Sequence, residues 1–343
     1  KNIVLIEKDQ IASGATGKAA GAITIRGELD LADMVNHHGI ERGLYFWKAS
    51  KEGLKLMKEI VKKEKIDCDF EEQDTIYGGL NKENHKFILE EYALEKELEK
   101  DTQLLSELLS AEKMDFYIKT DLFKYAILSK KHGISVNPLK YTQNLSKVVG
   151  KKGVRIFEDT ELIKIKNNSA ITPKGNIKFK TIILAMDVDL KEKRIKNRKT
   201  TIAITSPLNE KQIRDIGMKE RKIVWTTRKK YEYLKLTKEN RLLIGFGDVT
   251  VNEKDKKIDP EKSHLKRIRE FMKEIFPQLN TQIEYAWSGT YGITSNYIPI
   301  IDIKENMILA GGASSQLTCI ITAKYISEKL TNKSSYLDKF FWI

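Results

Sequence analysis

The sequence predicts a mixed α/β protein: a helix-covered sheet domain assembled from both ends of the chain, with a second, antiparallel-sheet domain inserted into it. Three observations carry this. Asn2–Ile6 and Lys180–Met186 are largely apolar runs, the pattern of strands buried on both faces of a parallel sheet. Small-residue stretches, Ser13–Gly21 and Ala310–Ser315, follow strand patterns and allow close backbone approach to a ligand. Between these ends, residues 201 to 250 hold short strand patterns with antiparallel character.

Taken in order, the first strand ends at Glu7-Lys8-Asp9 and the small-residue stretch follows. Glu41 to Lys65 has Leu44, Trp47, Leu54, Met57, Ile60 and Val61 at helical spacing, and Lys82 to Glu99 is a more polar amphipathic helix. Asn137-Pro138 reads as an N-cap followed by proline at the first helical position. Short strands are expected at Val154–Phe157, Glu161–Ile165 and Ala170–Thr172, with a turn at Gly175-Asn176. The middle strands are Thr201–Thr205, Lys222–Thr226, Tyr231–Leu236 and Arg241–Gly245. Asp259-Pro260 opens a helix with Leu265, Ile268, Phe271, Met272 and Ile275 on its buried stripe. Ile283–Trp287, Tyr297–Ile301 and Met307–Ala310 are strands, and an apolar helix closes the chain at Leu330.

An apolar fraction of 41 % supplies a real core and excludes disorder. Two cysteines, Cys68 and Cys319, exclude a disulfide scaffold and a Cys-rich zinc module, and no metal site is expected. No apolar run is long enough to cross a bilayer and no signal peptide is visible, so the chain reads as a soluble, cytoplasmic protein. The net charge of +13 permits nucleic-acid binding. Its distribution argues against that: lysines alternate with glutamates along helices, and the densest run, Lys191 to Lys199, is loop-like and lacks aromatics. His37, His38, His85, His132 and His264 fall in no site motif and read as surface or capping residues; Cys319 reads as core.

Three places carry chemistry. Glu7, ending a strand of a dinucleotide fold, can accept hydrogen bonds from ribose hydroxyls, or be an ordinary strand-end carboxylate. Ser13, Thr16 and Lys18 can offer donors to a diphosphate, with Gly14, Ala15 and Ala19 keeping the approach open; a plain flexible loop is the alternative. Gly311-Gly312-Ala313-Ser314-Ser315 feeds a helix N-terminus that points N–H groups at an electron-rich group, or is simply a tight turn.

With these residues in place, the sequence resembles the FAD-dependent oxidoreductases of the D-amino-acid oxidase superfamily, which includes glycine and sarcosine oxidases. NIVLIEKDQIASGATGKAAGAI is similar to that family's second strand and flavin-contacting segment. VNPLKY with GVRIFEDTELIKI is similar to the stretch lining the adenine side, VWTTRKKYEYLKLTKENRLLIGFGD to the strands covering the flavin, and WSGTYGITSNYIPII with MILAGGASSQLTCIITAKYI to the closing strand and final helix. The motifs come in the family's order along essentially the whole chain.

The resemblance implies a Rossmann-like FAD-binding domain over 1–72, 134–200 and 288–343, and an inserted substrate-binding domain over 73–133 and 201–287. It implies FAD contacts from Glu7, Lys8, Ser13, Gly14, Ala15, Thr16, Lys18, Ala19, Leu162, Gly312, Ser314, Ser315, Gln316 and Leu317. Trp225, Tyr231, Tyr233 and Tyr291 are the substrate-facing candidates, with core packing as their alternative role. The implied reaction oxidises a C–N bond of an amine or amino acid by hydride transfer to the flavin, with no obligatory acid–base side chain. Some carboxylate-binding relatives carry an arginine after the Trp-x-Gly strand, absent from Gly289-Thr290-Tyr291-Gly292; this points to an amine, or to a carboxylate held by Arg26 or Arg228. Two departures stand out: the family's opening strand with its G-x-G-x-x-G turn has no counterpart before Asn2, and Asp187, Ser315 and Leu317 replace common glycines. A small-molecule substrate is the expected partner, with an oligomer or multi-subunit complex left open. A hydroxy-acid or glycerol-3-phosphate dehydrogenase, a non-catalytic flavin subunit and a nucleic-acid module are the competing readings.

Overall fold

A computed structural model describes residues 2–26, 29–98, 106–251 and 259–341. Its strands, in chain order, are β1 (Val4–Ile6), β2 (Ala22–Thr24), β3 (Glu71–Gly79), β4 (Ser106–Ser110), β5 (Tyr125–Ser135), β6 (Arg155–Phe157), β7 (Lys164–Lys166), β8 (Ser169–Thr172), β9 (Gly175–Lys178), β10 (Ile182–Leu184), β11 (Ile195–Thr205), β12 (Lys222–Thr226), β13 (Glu232–Leu236), β14 (Leu242–Thr250), β15 (Ile283–Thr294), β16 (Ile300–Lys304) and β17 (Met307–Gly311). Its α-helices are α1 (Ala15–Lys18), α2 (Leu31–His38), α3 (Ile40–Glu64), α4 (Lys82–Leu98), α5 (Ala111–Met114), α6 (Pro138–Lys151), α7 (Glu210–Asp215), α8 (Lys262–Ile275), α9 (Gln316–Leu330) and α10 (Asp338–Phe341).

Two small parallel pairings form from the chain ends. β1 lies parallel to β6, and β10 parallel to β17, which carries β16 antiparallel on its far edge. The large sheet runs in the order β15-β11-β14-β13-β12-β3-β5-β2, with β4 also on β5. It is antiparallel except at the β12–β3 join, which is parallel. One face of this sheet packs Val224, Leu234, Leu236 and Ile244 against Ile268, Phe271 and Ile275 of α8, forming a core. A second core gathers α3, α6 and α9 through Trp47, Met57, Tyr141, Leu317 and Ile321.

Helix starts follow their caps: Asn137 accepts from the N–H of Lys140 with Pro138 behind it, and Ser315 forms a reciprocal box with Thr318. The expected helix after Asp259-Pro260 begins at Lys262, with Glu261 at the cap. Three expectations need correction. Residues 195–199 of the basic run are not loop but the start of β11, paired to β15 from Ile195 onward. β3 and β5 were hidden because Glu71-Glu72-Gln73-Asp74 is polar and because Lys130-Lys131-His132 interrupts the apolar pattern of β5. There Lys131 has φ 57°, the register slips opposite Asp74, and Asp74 accepts from the Lys131 N–H at 2.9 Å. His132 and His264 are buried, not surface residues.

Candidate functional site

The elements enclose one large cleft of about 3560 Å³, well beyond the ~300–1,000 Å³ of an ordinary small-ligand pocket. Its floor is the large sheet. In register across it stand Tyr77 on β3, Trp225 on β12, Tyr233 on β13, Gly245 on β14, Ile202 on β11 and Trp287 on β15. Strand alternation places all of them on one face. Tyr77 and Trp225 meet edge-on at 6.4 Å, and Tyr231 stands 6.2 Å from Tyr233. Gly245 is the notch in this row. A Cβ there would lie 1.9 Å from Cζ of Tyr233, so only glycine lets the phenol ring lie down over β14. Trp225, Tyr231, Tyr233 and Tyr291 all line the cleft.

The opposite side is formed by strand ends. The carboxyl ends of β1, β10 and β17 reach it, the usual ligand position in an open α/β sheet, and β6 reaches it through Arg155 at its start. Among the described residues the free edges of β1 and β10 have no strand partner and border the cleft, where Ile3 and Ile183 stay 49 % and 44 % exposed. Of the residues expected to contact a cofactor, Glu7, Lys8, Gly14, Ala15, Thr16, Lys18, Ala19, Leu162, Ser314, Ser315, Gln316 and Leu317 line this cleft. Ser13 and Gly312 do not. Ser13 is exposed in a turn with its N–H on the Gln10 carbonyl, and the Gly312 N–H reaches Asp187 at 3.4 Å. Lys8 is ion-paired to Asp189, joining the β1 side to the loop after β10. The indole of Trp287 donates to the Lys18 carbonyl at 2.8 Å, fastening α1 to the sheet floor.

Asp187 resolves one difficulty. A carboxylate beside a diphosphate would be repelled, but this one also takes the Gly292 N–H at 2.8 Å. Burial raises its pKa, and the N–H donors from Gly292 and Gly312 oppose that rise. It therefore clamps β15 to the turn after β17. Cys319, expected in the core, is exposed on the cleft wall, with its thiol toward the Ala313 carbonyl.

Neither suggested arginine is available to a carboxylate. Arg26 is 1 % exposed, ion-paired to Glu91 and Glu95, stacked over Tyr77 at 5.5 Å, and does not line the cleft. Arg228 reaches the cleft but is held by Glu232 at 2.8 Å and Glu274 at 2.9 Å. Sequence reasoning missed Asp30 and Tyr77, whose hydroxyl donates to Asp30 at 2.6 Å at one end of the aromatic row. Burial pushes the carboxyls of Asp30 and Glu91 up, to about 6 and about 7. No signal pointed to them, because the strand carrying Tyr77 was itself unrecognised.

A flavin dinucleotide fits this arrangement on two observations. The Ser315–Thr318 box consumes the Thr318 N–H but leaves Gln316 and Leu317 at the helix start without intrahelical acceptors. Beside them the Gln316 side-chain amide is buried with no hydrogen-bond partner in the described structure, at the wall of the cleft. An orphan donor at a helix N-terminus calls for an acceptor-bearing ligand. No helix among the described residues is long and apolar enough to cross a membrane.

Comparison with known proteins agrees. The γ-glutamylputrescine oxidoreductase of Escherichia coli K12 is 24 % identical, over 99 % of this chain and 80 % of its own length. Glycine oxidase from Geobacillus kaustophilus superposes with a TM-score of 0.82 at 14 % identity, over 99 % of this chain and 91 % of that one. L-Proline dehydrogenase from P. horikoshii superposes with a TM-score of 0.80 at 17 % identity, over 99 % and 90 % of the two chains. The family pattern described as FAD dependent oxidoreductase (DAO) matches residues 1–329, and this chain therefore belongs to that family of FAD-dependent enzymes.

Proposed function

We propose that the protein oxidises a C–N bond of an amine or amino acid. The observation that carries this is the aromatic floor, Tyr77-Trp225-Tyr233, facing a wall whose strand ends and helix start suit a dinucleotide. In this reading Glu7 holds the ribose, the Gly14–Ala19 segment faces the diphosphate, and Ser314–Leu317 face the flavin ring. FAD, held by these residues, would supply the two-electron acceptor for the hydride that leaves the substrate carbon.

The chain's own residues do the rest. Trp225, Tyr231, Tyr233 and Tyr291 hold the substrate against the opposite wall and exclude water. Because the hydrogen leaves with its electron pair, no side chain has to take it as a proton. What the site must favour is a neutral amine, whose lone pair helps expel the hydride; an apolar aromatic floor disfavours the ammonium form by desolvation.

The test is anaerobic reduction of the FAD-loaded protein by a panel of amines, amino acids, hydroxy acids and glycerol phosphate. Bleaching of the flavin band by C–N substrates is the expected result. Bleaching by hydroxy acids or glycerol phosphate alone would overturn the reading.

A further inference from the structure

One carboxyl on the cleft wall sits where a helix cap belongs and does not act as one. Asp30 precedes α2 with the extended backbone of an N-cap, and its carbonyl accepts the first helical bond, from Met34. Its side chain takes no N–H from that helix. The N–H groups of Leu31 and Ala32 go instead to the two carboxylate oxygens of Glu91 on α4, at 3.1 and 2.7 Å. Relieved of the cap, the Asp30 carboxyl turns to the Tyr77 hydroxyl at 2.6 Å, at the end of the aromatic row and on the wall of the cleft.

The surroundings suit a carboxyl that gains and loses a proton. Tyr77 meets Trp225 and Phe87 edge-on, each at 6.4 Å. Burial is the main influence on Asp30 and raises its pKa; Asp33 of α2 and Glu95 of α4 push the same way, while the Tyr77 hydroxyl and the Arg26 guanidinium after β2 oppose them. The phenol's own pKa is held well above the ordinary range, by burial first and then by Asp30, so Tyr77 keeps its proton and orients the carboxylate. Glu91 and Glu95 are fully buried behind this pair and do not line the cleft. Asp248, another cleft carboxyl paired to a tyrosine, stands on β14 three residues past Gly245, away from the row of rings. Apolar surroundings that raise a carboxyl also lower an ammonium placed against it, so a proton transfer that is unfavourable in water comes closer to balance here.

We propose that Asp30 is the proton acceptor that turns a substrate ammonium into the neutral amine that is oxidised. This rests on the C–N reading above. One N–H bond of the ammonium breaks and an O–H bond forms on the Asp30 carboxylate. No electrons leave the substrate in this step, and the nitrogen keeps the lone pair that later helps to expel the hydride. Asp30 returns the proton to solvent before the next turnover. The C–H hydrogen leaves with its electron pair, so the site needs a base for nitrogen and none for carbon.

The test is the pH profile of anaerobic flavin reduction by an amine in the FAD-loaded wild type, Asp30→Asn, Tyr77→Phe and Asp248→Asn. Asp30→Asn keeps an acceptor for the Tyr77 hydroxyl but cannot take up a proton. At pH 7 it should reduce flavin roughly 100- to 1,000-fold more slowly than wild type. That deficit should shrink as pH rises toward the pKa of the amine itself, where solution supplies the neutral form. Tyr77→Phe removes a hydrogen bond that favours the ionised carboxylate and should move the acidic limb of the profile to higher pH. Asp248→Asn should keep the wild-type shape. A second readout needs no turnover: binding of a non-oxidisable amine at pH 8, followed calorimetrically in buffers of different ionisation enthalpy. It should release about one proton to the buffer in Asp30→Asn and close to none in wild type. An equal loss at every pH in Asp30→Asn, a proton released by wild type as well, or a profile altered by Asp248→Asn and not by Asp30→Asn would overturn the acceptor and leave C–N oxidation standing. Should Asp30→Asn fail to fold, the Tyr77→Phe profile and the wild-type proton count decide the matter. A flavin reduced only by hydroxy acids or glycerol phosphate would instead defeat the C–N reading itself.

Discussion

On the floor of the cleft, Tyr77, Trp225 and Tyr233 stand in register, backed through the sheet by the packed core of Val224, Leu234 and Phe271. Across the cleft, β1 and β10 each have one strand partner and one free edge among the described residues, with Ile3, Leu5 and Ile183 partly exposed. The floor is stiff before any ligand arrives; the opposite wall keeps backbone and apolar surface unsatisfied. Chemistry that depends on orientation is thus placed on the side whose geometry is fixed by packing. The open wall keeps binding energy in reserve, so a ligand seated there should stabilise it by mass action.

The sharpest way to break this contrast is at the buried ion group behind the floor. Arg26→Met removes the cation that Glu91 and Glu95, both fully buried, are paired to, and should cost about 3–5 kcal/mol in urea unfolding. Next comes pH. Burial lowers the pKa of His132 to about 3 from an ordinary 6.5, and its Nδ1 has no hydrogen-bond partner among the described residues. The folded state therefore keeps it neutral while the unfolded chain protonates. Its contribution is complete above pH 6.5 and is lost as pH falls, by about 2 kcal/mol at pH 5. Asp30 and Glu91, raised by burial, act in the opposite direction over the same range. The comparison to make is between wild type and His132→Gln at pH 7 and pH 5, where the variant should lose less.

Gly245→Ala tests the notch: the added carbon must displace Tyr233 or β14, costing ~1–3 kcal/mol and lowering kcat/KM. Asp187→Ala leaves the Gly292 and Gly312 N–H groups without their acceptor and should cost ~1–3 kcal/mol, with Asp187→Asn milder. At the far end, Leu5→Thr on the open wall should change the stability of the ligand-free protein by less than about 0.5 kcal/mol, since Leu5 is 39 % exposed. A cost as large as that of Gly245→Ala would mean that the open wall is as tightly built as the floor.

The open wall was the legible half of the molecule. Asn2–Ile6, Ser13–Gly21 and Ala310–Ser315 announce themselves because strand burial and small-residue turns are local in sequence. The floor was legible only in part. Trp225, Tyr231 and Tyr233 follow from alternation, but Tyr77 sits on a strand that opens with four polar residues. Residues 195–199 lay hidden as strand in a charge run, because their pairing depends on a distant partner, β15. Asp187 looked like a defect in a glycine pattern; its two backbone donors come from residues more than a hundred positions away. Contacts of that kind leave no trace in local periodicity.

The parallel join of β3 to β12 carries a consequence for how the protein comes into being. It brings Asp74 opposite Lys222, and β15 closes the other edge only at residues 283–294. A chain emerging from the ribosome cannot complete its reactive surface until most of it has been translated. Such distant pairings form slowly. Premature termination in the middle of the polypeptide would leave a floor without the β15 edge that carries Trp287 and Tyr291.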